Sequence, residues 1–209
     1  MRFTISSSAL TNKLVALSKV INSKNSLPIL ADFIFEIDNN ILKLTASDSE
    51  NTMKTSLELN ESDSNTTFAI GNHDLLEALK GISEQPITFD VNTQENIAKI
   101  SYQNGLFSLP IDNADEFPVA QEIGAGANVI SISSEVLSEN INRSIFATGQ
   151  DEIRPVMNGI FFDLSPECLS IVATDGHKLV RNKILNINSL TPASFILPKK
   201  PANLLKNVL

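Results

Sequence analysis

The sequence predicts an α+β fold made of tandem half-units, each a strand that runs directly into a helix and is followed by three strands. The strand–helix segment occurs four times, with starts at residues 3, 68, 130 and 195. Residue n also matches residue n+127 without a gap, and nine of the 46 pairs that begin at Phe3 and end at Asp48 are identical. Between these segments apolar residues alternate, as in strands with one buried face. Such a period indicates two copies of one domain, each built of two half-units.

The first half-unit opens with a strand at Phe3 and a helix that begins near Ser6–Ser8, which are good N-cap residues. Lys19 lies on the opposite side of this helix from its apolar residues, so the outer face is partly basic. Pro28 bars the helix from continuing. One buried stripe is predicted from the spacing of Leu10, Leu14, Leu17 and Ile21.

Three strands complete the first half-unit. Alternation over 33–37 and 42–46 predicts two strands joined by a turn at Asn39-Asn40, and a third strand lies near 52–58. The second half-unit repeats this order, with a strand over 66–70, an Asn72 cap and a helix. The apolar residues of that helix are Leu75, Leu76, Leu79 and Ile82. Alternation then predicts strands near 87–91, 98–102 and 107–111, with a hairpin at Asn104-Gly105.

The second domain repeats the first. We expect a first domain over 1–120, a linker over 121–128 and a second domain over 129–209. Its first helix carries Leu137, Ile141 and Ile145, and strands follow over 160–164 and 169–173. By the period, the fourth half-unit would extend to about residue 256. We therefore expect an incomplete second domain whose last sheet edge is unpaired.

Composition limits the function classes. The apolar fraction of 42% is sufficient for packed cores, and no apolar run has the length of a signal or membrane segment. The single Cys168 suits a buried position in a reducing cytoplasm, which is the predicted location. A net charge of −8 argues against nucleic acid, but stretches 6–24 and 198–209 contain lysines and no acidic residue. A basic helical layer on an acidic body could face DNA, although charged helix faces are commonly just solvated.

Several motifs resemble the bacterial sliding clamp family, the β subunits of DNA polymerase III. They are Leu27-Pro-Ile-Leu30, Ala114-Asp-Glu-Phe-Pro118, Asn158-Gly159, Ala173-Thr-Asp-Gly-His-Lys-Leu179 and Leu197-Pro-Lys-Lys200. The resemblance covers the chain from Met1 to Leu209. It implies the DNA-clamp fold, with helices on the inner face and antiparallel sheets outside. In this family three domains form a subunit, and two subunits form a ring around duplex DNA. From the resemblance we expect the 209 residues to span the first domain and part of the second, without the third.

The resemblance also implies a site for short peptides of polymerase, clamp loader and repair proteins. One wall of that pocket would consist of Met157, Thr174, Gly176, His177, Lys178 and Leu179. The family often has leucine where Met157 stands, and methionine is also apolar and more adaptable. The rest of the pocket would lie beyond Leu209, so we expect weak peptide binding by this chain.

Further residues acquire roles through the same resemblance. Sequence-independent DNA contacts would come from Lys24, Arg154, Lys199 and Lys200, and less directly from Gln150 and Lys19. Any one of these could instead be an ordinary solvated side chain. Phe107 and Leu109 would lie on the strand edge that joins a second subunit, or simply pack in the core.

Two other functions compete with a processivity ring. An enzyme could use Asp175 and His177 as an acid–base pair, but the chain offers no nucleophile, second cysteine or acidic cluster with ligand spacing beside them. A repeat scaffold that binds proteins and not DNA would explain the repeat, but not the lysines of 6–24 and 198–209. We therefore predict a non-catalytic protein without a cofactor or metal and with no membrane partner, and the resemblance implies that it forms a homodimer at full length.

Overall fold

The computed structural model describes residues 1–209 except 23, 24, 26, 121–123, 125, 128 and 152. The chain divides into two compact units, Met1–Gln121 and Glu122–Leu209. The predicted linker 121–128 lies largely outside the described residues, so the division at 120 and 129 stays a prediction. None of the described helices is long and apolar enough to cross a membrane.

The first unit contains two half-units of the predicted order. The first half consists of β1 (Arg2–Ser6), α1 (Ser7–Ser18), β2 (Asp32–Asp38), β3 (Ile41–Ser47), β4 (Thr52–Glu58) and the short β5 (Glu61–Ser62). The second half consists of β6 (Thr66–Gly71), α2 (Asn72–Lys80), β7 (Pro86–Asn92), β8 (Ile97–Tyr102) and β9 (Gly105–Asp112). Short 3₁₀ turns occupy Pro28–Ala31 and Ala114–Glu116. All strands pair antiparallel, in the order β4-β3-β2-β6-β9-β8-β7-β1-β5.

The helix predictions hold for α1 and need a correction for α2. The Ser6 hydroxyl caps α1 by accepting a hydrogen bond from the Ala9 amide at 3.1 Å, and the predicted stripe is buried as far as Leu17. The prediction of an Asn72 cap is wrong: Gly71 holds the cap position and Asn72 is already helical. The Asn72 side chain instead donates a hydrogen bond to the Ala31 carbonyl, because β6 lies beside β2 at this point.

The core of the first unit forms where the long sheet bends back on itself. Phe35 on β2 and Phe89 on β7 are four strand positions apart, a separation of about 19 Å in a flat sheet. Their ring centroids are only 6.2 Å apart. Phe68 stacks on Phe35 and Phe3 stacks on Phe89. The two ends of the folded sheet therefore bury their aromatic faces against each other, and each end contributes one aromatic residue from each half-unit.

The second unit repeats the first at the predicted period. Its elements are α3 (Ser134–Ile145), β10 (Gly159–Leu164), β11 (Leu169–Thr174), β12 (Leu179–Ile184), β13 (Ala193–Pro198) and α4 (Lys199–Val208). A 3₁₀ turn occupies Pro155–Met157, and the sheet order is β12-β11-β10-β13. Adding 127 to the bounds of α1 and β6 gives the bounds of α3 and β13. The duplication inferred from the sequence is therefore a duplication of structure.

One predicted strand of the second unit does not form. The counterpart of β1 near 130–132 is not a strand, although Ile130 and Ile132 pack against the core of this unit. In the first unit β1 pairs with β7, and none of the described residues takes the place of β7 in the second. A strand without a neighbour leaves its backbone groups unpaired. For the same reason β13 ends the sheet, and Phe195 on it is 45% exposed.

Candidate functional site

The turn between β11 and β12 is held by a closed set of hydrogen bonds. The Asp175 carboxylate accepts from the backbone amides of His177 and Lys178 at 3.0 and 2.9 Å. The Thr174 hydroxyl donates to the Lys178 carbonyl at 2.7 Å and accepts from the Gly176 amide at 3.1 Å. These bonds fix the backbone of the turn, whose residues 176–179 are exposed.

Gly176 is required by the shape of this turn. Its φ angle is +89°, a conformation that glycine adopts without a steric penalty. A β-carbon here would lie 3.4 Å from Nη1 of Arg154. Glycine therefore allows the Arg154 guanidinium to lie directly against the turn.

Asp175 is a structural residue of the turn. Backbone hydrogen bonds from Lys178 and His177, and then the Lys178 ammonium 3.0 Å away, hold the pKa of the Asp175 carboxyl far below its usual value. A carboxylate with so low a pKa is a poor general base. This geometry weakens the alternative of acid–base chemistry by Asp175 and His177. Within the described part of the chain, no group of three or more His, Cys, Asp or Glu side chains could hold a metal ion.

The loop before β10 supplies the other side of the candidate site. Met157 ends the 3₁₀ turn and is half-buried, and its carbonyl accepts a hydrogen bond from the Gly149 amide at 2.7 Å. Arg154 donates through Nε to the Asp151 carboxylate at 2.7 Å. The Asn158 side chain bonds both the amide and the carbonyl of Asp151, at 2.8 and 2.9 Å. The loop that carries Arg154 and Met157 is thus tied to the start of β10.

Sequence reasoning missed two apolar residues near this turn. Phe146 follows α3, is 61% exposed, and has the Lys178 Nζ 5.9 Å from its ring centroid, within cation–π range. Val156 lies in the 3₁₀ turn and is 65% exposed. A sequence signal existed for Phe146. Nine residues make two and a half helical turns, so Phe146 falls opposite Leu137 and off the buried stripe.

The structure brings together only part of the predicted DNA set. Arg154 joins the peptide-wall residues through Gly176. Lys199 and Lys200 are the first residues of α4, and the Lys199 amide donates to the Asn158 carbonyl at 3.1 Å. Gln150 is exposed beside Asp151, and Lys19 is exposed at the end of α1 in the other unit. Lys24 lies outside the described residues.

The predicted subunit edge lies on β9. Phe107 and Leu109 are half-buried and alternate with exposed neighbours, of which Leu106 is 60% exposed. Residues 105–110 pair with β8 on one side. On the other side only Ile111 and Asp112 pair with β6. Among the described residues, the edge that carries Phe107 and Leu109 therefore has no second strand.

Comparison with known proteins decides the family. The model for the N-terminal domain of the DNA polymerase III beta subunit matches residues 1–121, and the model for its central domain matches residues 131–209. This chain belongs to the DNA polymerase III beta subunit family. The family predicted from the motifs is thus confirmed.

Relatives in the beta subunit family are similar over almost the whole chain. The beta sliding clamps of Pseudomonas aeruginosa and of Buchnera aphidicola subsp. Rhopalosiphum padi are each 26% identical over 96% of this chain. The alignments cover 54% of each relative, so this chain spans about half the length of the curated relatives it matches.

Solved structures of beta subunits confirm the predicted α+β clamp fold. The P. aeruginosa DNA polymerase III subunit beta superposes with a TM-score of 0.91 at 26% identity, over 100% of this chain and 56% of that one. The Helicobacter pylori beta clamp bound to a DNA ligase peptide has a TM-score of 0.88 at 21% identity, over 100% and 59% of the two chains. The roles of the individual site residues are not tested by these comparisons and stay predictions.

Proposed function

We propose that this chain forms part of a sliding clamp, a non-catalytic processivity factor of the replicative DNA polymerase. The single observation that carries the proposal is the match of both units, in order, to the two family domains. At the full length of the relatives, two subunits would close into a ring around duplex DNA in the cytoplasm, without a membrane partner. The clamp would then tether polymerase, clamp loader and repair proteins to DNA.

The turn after β11 is our proposed site for partner peptides. What supports this is that Arg154, three residues before half-buried Met157, lies against Gly176 in the exposed turn that ends at Leu179. An apolar wall with a rigid backbone and a few polar groups suits an extended peptide. The DNA ligase peptide on the H. pylori clamp is a precedent for this type of ligand. The contact of Arg154 with Gly176 supports a peptide role for Arg154 in addition to the predicted DNA role.

DNA contact is proposed for the lysines at the start of α4. Lys199 and Lys200 add positive charge where the backbone amides of a helix N-terminus already favour anions. Contacts of this kind hold phosphates without reading bases. Lys19, Lys24 and Gln150 would add weaker contacts. The strand edge at Phe107 and Leu109 is proposed for the subunit interface, because an unpaired edge accepts a further strand.

The peptide proposal is tested with the DNA ligase peptide as probe. Substituting Leu179→Ser removes an apolar side chain that is 66% exposed and leaves the core intact. We expect the dissociation constant, measured by NMR titration, to rise about tenfold. Leu185→Ser is the matched control, since Leu185 is 73% exposed in the same unit, and it should change binding less than about twofold. Equal effects of the two substitutions would refute the proposed site.

The DNA proposal is tested on a protein of the relatives' full length. A clamp that encircles DNA should remain on a nicked circular plasmid and dissociate when the plasmid is linearised, which gel filtration of the complex measures. A scaffold that does not encircle DNA would show no difference between the two forms. Lys199→Glu with Lys200→Glu should weaken loading on the circle at low salt, and the difference from the unmodified protein should become smaller as salt rises, because fewer phosphate contacts mean a weaker salt dependence.

A further inference from the structure

A groove in the first unit contains acidic groups that the proposed function does not use. It has a volume of about 590 Å³ and lies where the 3₁₀ turn Pro28–Ala31 approaches the end of β9. One side is apolar and consists of Leu27, Pro28 and Ile29. The acidic side chains lining it are Asp32, Asp112 and Glu116.

Asp32 is the unusual member of this set. It is only 8% exposed, yet none of the described residues donates a hydrogen bond to its carboxylate or forms an ion pair with it. Burial, and then the negative charge of Asp112, raise the pKa of Asp32 to about 6. A buried carboxylate is normally hydrogen-bonded or paired, because burial of an unpaired charge is costly. Among the described residues no group donates to the Asp32 carboxylate, and because no unpartnered side-chain oxygen is fully buried, this carboxylate opens into the groove that it lines.

The second unit shows how the same place in the fold is treated differently. The period places Leu27 where Arg154 stands and Asp32 where Gly159 stands. Arg154 pairs with Asp151 in the second unit, and the period places Leu27 and Lys24 at those two positions of the first unit. The first unit thus has no arginine at the position of Arg154, and it has a carboxylate where the second unit has Gly159.

We propose that this groove binds an arginine side chain of a partner protein. A guanidinium is weakly hydrated and has five donors, so it can bridge Asp32 and Asp112 while its aliphatic stem lies on Leu27 and Pro28. Charge complementarity identifies the ligand as a cation, since three carboxylates line the groove. A metal ion is disfavoured, because the described residues contain no group of three or more ligating side chains with suitable geometry. This surface lies in the first unit and does not depend on the peptide site of the second.

Binding should strengthen as the pH rises, because only the ionised Asp32 attracts a guanidinium. With a pKa of about 6, Asp32 is mostly ionised at pH 7.5 and about one tenth ionised at pH 5. The other titratable groups of the groove, Asp112 and Glu116, are both exposed. The affinity at pH 5 should therefore be about tenfold lower than at pH 7.5.

The experiment uses Nα-acetyl-arginine N-methylamide as the probe and its uncharged citrulline analogue as the matched ligand. NMR titration of the intact chain at pH 7.5 should shift the amides of residues 29–32 and 112–116 with the arginine probe, and not with the citrulline one. Asp32→Asn keeps the shape of the side chain and should weaken binding of the arginine probe about tenfold. Asp90→Asn removes the same charge from the exposed surface of β7 and should change it less than about twofold.

A second measurement makes the test independent of the variants. The pKa of Asp32 in the unmodified chain, followed by carbon NMR of its carboxyl, should fall when the arginine probe is added. An unchanged pKa, equal binding of the citrulline analogue, or unchanged binding by Asp32→Asn would each overturn the proposal. These outcomes leave the proposed clamp function unaffected, since that function is tested on Leu179 and on circular DNA.

Discussion

The turn after β3 and the turn after β11 correspond at the 127-residue period and share one hydrogen-bond scheme. Asp48 accepts from the amides two and three residues ahead at 3.0 and 2.6 Å, as Asp175 does at 3.0 and 2.9 Å. The residue before each aspartate, Ser47 or Thr174, uses its side-chain hydroxyl to accept a hydrogen bond at 3.1 Å. The donor is the backbone amide of the residue that follows the aspartate. Asp175, the aspartate of the motif that resembles the clamp family, therefore belongs to a turn that is present in both units.

The two turns differ in the side chains that they present. Ser49 adopts a φ of +79° where Gly176 has +89°. The Asn51 amide group contacts Asp48 where the Lys178 ammonium contacts Asp175. The Arg154 guanidinium lies against Gly176 in the second turn, whereas the first unit has Leu27 at the position of Arg154. The comparison teaches that duplication preserved the backbone scheme, while a few substitutions made one turn a candidate binding surface.

The largest expected effect is on stability, and it tests how closely neighbouring strands approach each other in the second unit. In Gly159→Ala, the new β-carbon would lie 2.6 Å from the Leu197 carbonyl oxygen, a backbone atom that cannot move away easily. We expect a loss of about 3 kcal/mol in the stability of the second unit, measured by hydrogen exchange of the β10 amides. Gly81→Ala is the control, because no atom lies within 4 Å of its β-carbon position. A loss below about 1 kcal/mol for Gly159→Ala would contradict the close approach.

The next effect concerns Asp32, which occupies the position of Gly159 in the first unit. The pKa of Asp32 is raised from the usual 3.8 to about 6. The contribution of the protonated side chain to the stability of the first unit is therefore full below about pH 4, and it is lost as the pH rises through 6. Asp32→Asn should thus stabilise the first unit by roughly 1–2 kcal/mol at pH 7.5 and have little effect at pH 4. Urea unfolding at both pH values measures this. Equal effects at the two values would contradict the raised pKa.

A smaller effect tests the backbone strain that the two turns tolerate. Gly176→Ser introduces the residue of the first turn into the second, at a positive φ and against the Arg154 guanidinium. We expect a loss of about 1 kcal/mol in the second unit. The reverse change, Ser49→Gly, should gain less than about 1 kcal/mol in the first unit, because relief of strain is partly offset by backbone entropy. Losses of stability of similar size for Gly176→Ser and Ser49→Gly would mean that the positive φ angle does not cause the effect.

The smallest effect of the series is expected for the aspartates of the turns, and it depends on pH. The pKa of Asp175 is lowered, so its contribution to stability is present above about pH 4 and is lost as the pH falls. Asp175→Asn should therefore reduce the acid sensitivity of the second unit, as seen in hydrogen exchange of the β11 and β12 amides at pH 3 and 6. Asp48→Asn is the matched change in the first unit and should leave exchange in the second unaltered.

The 127-residue period of the sequence was sufficient to predict where most helices and strands lie. The stripe of α1, the turn at Asn39-Asn40 and the strands of both units follow from local spacing. Local spacing failed at Asn72, where a favourable capping residue instead donates a hydrogen bond to the carbonyl of Ala31, the last residue of a neighbouring 3₁₀ turn. It also failed at residues 130–132, whose sequence is suited to a strand but whose pairing partner is absent from the described residues.

The candidate site could be predicted only in part. The motif from Thr174 to Leu179 was evident because its residues are consecutive. The contact between Arg154 and Gly176, and that between Phe146 and Lys178, join segments more than twenty residues apart. No sequence periodicity predicts contacts between segments so far apart. The only available sequence signal for them was Phe146, an aromatic residue that falls off the buried stripe of α3.

By itself the sequence determined the duplicated order of strands and helices, the buried stripes, the turn residues and the family. These features depend on interactions between near neighbours in the chain, which recur wherever the local pattern recurs. The tertiary structure alone decided which strands pair, which acid is buried beside another acid and which arginine lies against which glycine. Those outcomes depend on segments distant in sequence, because burial and charge at each residue are set by what lies beside it in space.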